Sequence, residues 1–140
     1  KMAALTENRA TTRASADQCA FSMGVDIIYE GSLVAIDSST GYALAGADTS
    51  GYQFVGVAAE KVDNSGGSAG DKTVRVWQTG VFDFTYGAGG GAQAIVGELV
   101  YVTDDQSVDL VGTTTNDVAV GTIVELVSAT SVKVDIGRRS

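Results

Sequence analysis

TIVELVSATSVKVDI, residues 122–136, is two alternating runs around a polar reversal, and its reading decides the fold class. Residues 122–127 turn through Ser128, Ala129, Thr130 and Ser131 into residues 132–136. β-Branched side chains dominate both runs, as suits a pleated, half-buried surface. The Ser and Thr hydroxyls can hydrogen-bond the backbone where it reverses. The same pattern recurs at residues 33–44, around Ser38, Ser39, Thr40 and Gly41, and at 100–111, around Asp104, Asp105, Gln106 and Ser107. Two further strands are expected over 53–59 and 73–86, joined by the loop 63–71. Glycine is frequent (18 residues) and proline absent, so glycine supplies the tight turns and no strand loses an N–H. Short strands spaced by turn signals predict an all-β barrel or sandwich. No stretch carries the periodicity of a normal-length helix; residues 92–96 suit one turn at most.

Alternation along 73–86 divides the side chains between two faces. Val74, Val76, Phe82, Phe84 and Tyr86 claim the core, which directs Trp77 and Val81 outward with Arg75, Thr79 and Asp83. Leaving large apolar side chains in water forgoes about 1.5–3 kcal/mol each. Ile95, Leu99 and Tyr101 similarly stand opposite Val96, Val100 and Val102, so that segment is apolar on both sides. Two readings follow: a second layer within the chain, or an outer face that meets other subunits. On the second, Trp77, Val81, Leu99 and Tyr101 form an oligomer interface.

Residues 1–17, KMAALTENRATTRASAD, have neither strand nor helix periodicity, and only Met2 and Leu5 are large and apolar. Residues 1–19 are therefore expected to be an extended arm and 20–140 a single β-rich body. An arm of this kind is either a disordered terminus or a tie to a partner. Charge separates the regions: residues 1–17 sum to +1, 133–140 to +2 and 18–132 to −11, giving −8 for the chain. So acidic a body repels phosphate backbones, which argues against nucleic acid, while the positive termini suit an acidic surface or a neighbouring copy. No run approaches the ~20 apolar residues of a membrane helix and no signal-peptide pattern opens the chain, so a soluble protein made inside the cell is expected.

Chemistry finds little footing. Histidine is absent, which removes the commonest general base and transition-metal ligand. Cys19 stands alone, without a disulfide partner or an activating base. Gly66-Gly-Ser-Ala-Gly70-Asp71-Lys72-Thr73 has three residues between its outer glycines where a phosphate-binding loop needs four, an aspartate in the lysine position and a strand behind it. A flexible strand connection describes it better. Gly87 to Gly91 lacks dinucleotide-fingerprint spacing. Asp104, Asp105 and Asp109 miss the calcium-loop pattern and fit a hairpin turn. Paired carboxylates for glycoside hydrolysis lack an aromatic groove beside them. No enzyme activity, cofactor or metal is expected.

The ordered segments nevertheless resemble, over nearly the whole chain, the capsid cement or head-decoration proteins of tailed bacteriophages and Mu-like prophages. The resemblance is carried by Ala4-Leu-Thr-Glu-Asn-Arg-Ala-Thr-Thr-Arg13, Glu30-Gly-Ser-Leu-Val-Ala-Ile-Asp37, Val55-Gly-Val-Ala-Ala-Glu60 and Val62-Asp-Asn-Ser-Gly-Gly67. It continues through Thr73-Val-Arg-Val76 with Gly80-Val-Phe82, Val96-Gly-Glu-Leu-Val-Tyr-Val-Thr-Asp104, Val120-Gly-Thr-Ile-Val-Glu125 and Val132-Lys-Val-Asp-Ile-Gly137. Trp77, Cys19 and the run 87–91 depart from the pattern. It implies a homotrimer on the outer surface of a virion, made in the host cytoplasm, whose arm grips the major capsid protein through Leu5, Asn8, Arg9, Thr11, Thr12 and Arg13. The competing implication is a tail, spike or fibre-associated β-module, or an adhesive surface domain. Neither involves a membrane.

Overall fold

The computed structural model describes residues 18–87, 91–110 and 113–137. Twelve strands and one 3₁₀ turn (Gln93–Ile95) make the described chain all-β. A five-stranded antiparallel sheet runs in the order β1 (Gln18–Ser22), β7 (Thr73–Trp77), β5 (Tyr52–Ala58), β3 (Leu33–Asp37), β4 (Ala43–Ala45). A closed five-stranded barrel runs β10 (Ser107–Asp109), β8 (Val81–Tyr86), β12 (Ser131–Asp135), β11 (Ala119–Ser128), β9 (Leu99–Val102). A small ribbon pairs β2 (Ile27–Ile28) with β6 (Val62–Asp63). All three expected hairpins form, as β3–β4, β9–β10 and β11–β12.

The expected strand 73–86 is two strands. β7 ends at Trp77 in the open sheet and β8 begins at Val81 in the barrel. Gly80 makes the break: its φ of +127° strains any L side chain, and a Cβ there would lie 3.1 Å from the Phe82 ring. Its carbonyl accepts from the Ile136 N–H, which fixes the crossing to the barrel. At the other end, β1 already includes Gln18 and Cys19, in register with Trp77 and Val76. The ordered sheet thus starts two residues before the arm–body boundary read from sequence.

Two hydrophobic clusters hold the molecule together. The first fills the barrel with Phe84, Tyr86, Val100, Val102, Val108, Val120, Ile123, Val132, Val134 and Ile136, and takes in Leu33, Phe54 and Val57 from the open sheet. The second packs Met23, Ile28, Val34, Ala43, Ala58, Val74 and Val76 between that sheet and the small ribbon. β3 is therefore apolar on both faces because both are covered within one chain: Leu33 enters the first cluster and Val34 the second.

Bulges give the strands these shapes. In β5 the register skips Val55, so Phe54 and Val57 reach one cluster while Val55 and Ala58 reach the other. β11 carries three irregularities, and its inward residues fall at Val120, Ile123 and Leu126 instead of alternating. The added twist lets so few strands close into a barrel. Gly121 sits at one irregularity, where a Cβ would overlap the Asp135 carbonyl.

Candidate functional site

The surface formed by β1 and β7 is the candidate site. In this register Gln18, Ala20 and Ser22 share a face with Thr73, Arg75 and Trp77. That face is exposed except for the half-buried Gln18, and Trp77 keeps 38% of its surface in solvent. Arg75 pairs with Glu60 at 3.5 Å, both side chains being largely solvated. Trp77 lies opposite Gln18 on one side and the buried Val57 on the other. Val57 belongs to the first cluster, so Trp77 stands in the row beside it while remaining exposed.

The four expected interface residues belong to two sheets. Val81 is 52% exposed, on the barrel. Its row runs through Asp135 and Thr122 to Leu99, which are register partners in turn. Leu99 and Tyr101 are half-buried, and Tyr101 lies opposite Ala119 and Asp109. The structure thus brings Val81 and Leu99 to one barrel row and puts Trp77 on the open sheet. The six expected arm residues, Leu5, Asn8, Arg9, Thr11, Thr12 and Arg13, lie outside the described residues.

The loop 63–71 does not cover Trp77; it packs at the opposite end of β7, where Met23 N–H donates to Lys72 O and Gly70 N–H to Met23 O. It is also wired internally. Asn64 is 1% exposed and its Nδ2 donates to the carbonyls of Gly24 and Ser68, each at 3.0 Å. The Asp63 carboxylate accepts from the Ser65 hydroxyl and N–H, which hold its pKa below the usual carboxylate value. Ser68 N–H donates to Asp71 Oδ2 and Gly67 N–H to Asn64 O, so backbone donors that a phosphate would need are engaged. Lys72 Nζ donates to the Asp63 carbonyl at 2.6 Å. A depression of about 510 Å³ lies over this loop, with Asp63, Asp71 and Lys72 as the charged groups of its wall, net negative. Its acidic lining disfavours anions.

The other acidic candidates serve separate bonds, two of them local. Asp104 accepts from Gln106 N–H, Asp109 from Leu110 N–H, and the Asp105 carbonyl from Leu33 N–H. Among the described residues no three His, Cys, Asp or Glu side chains are grouped to hold a metal. Sequence reading missed Asp48, which clips the two halves of the body together. Its carboxylate accepts from Thr115 N–H at 2.7 Å and Asn116 N–H at 2.8 Å, and its carbonyl accepts from Asn116 Nδ2. The Thr115 bond leads in lowering its pKa. The partner lies 67 residues away, so no local signal marks the role.

No protein-family model, curated protein or solved structure matches this chain.

Proposed function

We propose that this protein is a structural component of a tailed-phage virion that binds the outer surface of the capsid and stabilises the shell by bridging capsid subunits. It acts as a homotrimer, without catalysis or cofactor, and its arm provides the grip on the major capsid protein. The observation that carries this reading is the ordered series of family-like segments. Those of the body contain β3, β6 and β9 and large parts of β5, β7, β11 and β12, so the resemblance extends across both halves.

The physical logic supports the same reading. A shell under internal pressure fails when its subunits separate. A protein attached at several points must release all of them together, and its hold exceeds any single contact. An arm that orders on binding covers a wide surface at modest affinity per area. The test is deletion of residues 1–17. Circular dichroism and melting should show an intact β body, while co-sedimentation with empty shells is lost. Saturation of shells as tight as that of the full chain would refute the arm's role.

A further inference from the structure

Hydrogen-bond acceptors without donors collect where the two halves of the body meet. The connection from β2 to β3 (Tyr29, Glu30, Gly31, Ser32) and the β9–β10 turn (Asp105, Gln106) line a cleft of about 300 Å³. Its backbone is fixed by bonds within the chain. Gly31 N–H donates to Ala58 O, Ser32 N–H to Tyr29 O, Leu33 N–H to Asp105 O at 2.8 Å and Thr85 N–H to Gln106 O. The side chains are left over. Glu30 and the half-buried Asp105 have neither a side-chain hydrogen bond nor an ion pair among the described residues, whose two ion pairs, Arg75–Glu60 and Lys133–Asp83, lie elsewhere. Ser32 is 6% exposed, and its buried hydroxyl has no partner. Such groups have lost hydration that an incoming donor would replace.

We propose that this cleft is a docking site for an arginine side chain of a partner protein. Its wall carries two carboxylates and no base, so it attracts a cation. Tyr29, 52% exposed, already holds one: Lys61 Nζ stands 5.1 Å from the ring centroid, outside the lining of the cleft. That aromatic wall favours an organic cation over a metal ion, and no three His, Cys, Asp or Glu side chains gather among the described residues. Of the two basic side chains the guanidinium suits the place better. It is planar, weakly hydrated and stacks on aromatic rings, and its five donors suffice for the two carboxylates, the Ser32 hydroxyl and the Gln106 amide oxygen. An ammonium offers three donors from a strongly hydrated point charge.

A cleft at the lower end of the range of small-molecule sites has room for one side chain projecting from a surface. Its backbone is already bonded, so little ordering is needed on binding. None of the lining residues belongs to residues 1–17 or to the β1–β7 face, so this site and the proposed attachment stand or fall separately.

The test titrates the isotope-labelled full chain, at low salt, with N-acetylarginine amide, which carries the guanidinium without a free carboxylate. The amide resonances of residues 29–32 and 105–106 should move together along a saturating curve, and the neutral isostere N-acetylcitrulline amide should leave them in place. Asp105→Asn should weaken the probe about ten-fold, the loss of one charge-assisted bond. The Asp105 carbonyl that accepts from Leu33 is untouched by this change, and Glu30→Gln is a second, fully exposed variant with the same expected direction. Unsaturating shifts spread over the acidic surface, equal binding of the citrulline probe, or unchanged affinity in both variants would overturn the proposal. So would calcium chloride that moves the same amides and displaces the probe, which makes the cleft a metal site. Tighter binding of free arginine would make it a metabolite site, and movement of these amides on dilution without probe would mean that a second copy fills it. Either result overturns the assignment to a partner protein.

Discussion

Replacing Trp77 with alanine should weaken self-association and destabilise the body by separable amounts. The 38% exposure divides the residue between two jobs. Of the ~250 Å² that a tryptophan can bury, roughly 95 Å² is left for a partner, about 2.4 kcal/mol at ~25 cal/mol per Å². Loss of that contact raises the dissociation constant of each interface about 50-fold. The covered remainder stands in the row of Val57, and its removal should cost about 2–4 kcal/mol of folding stability within one copy. These figures are comparable, so a drop in melting temperature alone does not discriminate between the roles.

Two measurements separate them. Urea unfolding at high dilution reads the stability of the isolated copy, and sedimentation velocity across a concentration series reads association. The expected result is a variant that remains folded in buffer, with a lowered urea midpoint, and requires tens-fold higher concentration to assemble. Assembly unchanged from wild type beside the same stability loss would show that Trp77 serves its own chain only. It would refute the assignment of this face to a partner.

Gly121→Ala should cost about 3 kcal/mol or more in urea unfolding, because the new Cβ overlaps the Asp135 carbonyl and forces β11 off β12; wild-type stability would show that the irregularity is dispensable. Asp48→Ala should lower stability by about 1 kcal/mol at pH 7, since Thr115 and Asn116 N–H lose their acceptor at a site that water reaches. The folded-state pKa of Asp48 is depressed, so this contribution is present above the ordinary carboxylate value and lost as pH falls through the lowered one. The gap between wild type and variant should narrow as the pH falls below the ordinary carboxylate value and through the lowered one; a gap that stays unchanged would show that the carboxylate's charge is not what matters.

The all-β class was legible because each hairpin carries its own evidence, two alternating runs and a polar turn of local origin. What sequence reading lost was the sheet to which each strand belongs. Val74, Val76, Phe82, Phe84 and Tyr86 keep one parity across the break at residues 78–80, so alternation continues where the strand does not. Gly80 was the sign, and a single glycine fits equally well in a bulge. In β11 the inward positions are three apart, since irregular register replaces the period of two on which face assignment depends. β1 was read partly as arm because QCAFS holds one large apolar residue. It is a strand through its pairing with β7, a contact 53 residues distant at Phe21 and Val74 that no local pattern encodes.

The outward position of Trp77 was legible and its neighbourhood was not. Parity alone directed it away from Val74 and Val76, and the structure has it exposed. Grouping it with Val81 assumed one continuous strand, and the change of sheet at Gly80 removes that basis; Leu99 and Tyr101 were added from a separate segment and lie on the barrel. The consequence for the proposed function is a division of labour. The open sheet holds Trp77 and the start of the described chain at Gln18, both at its β1–β7 end. The barrel, closed on itself, has no edge to offer, and its Val81–Leu99 row sits on a wall that is complete without a partner. In the proposed function, attachment through residues 1–17 uses a segment that contributes to neither cluster. Such a protein can tolerate change in its gripping parts at little cost to its own stability. Trp77 is the exception, because it belongs to both the fold and the surface.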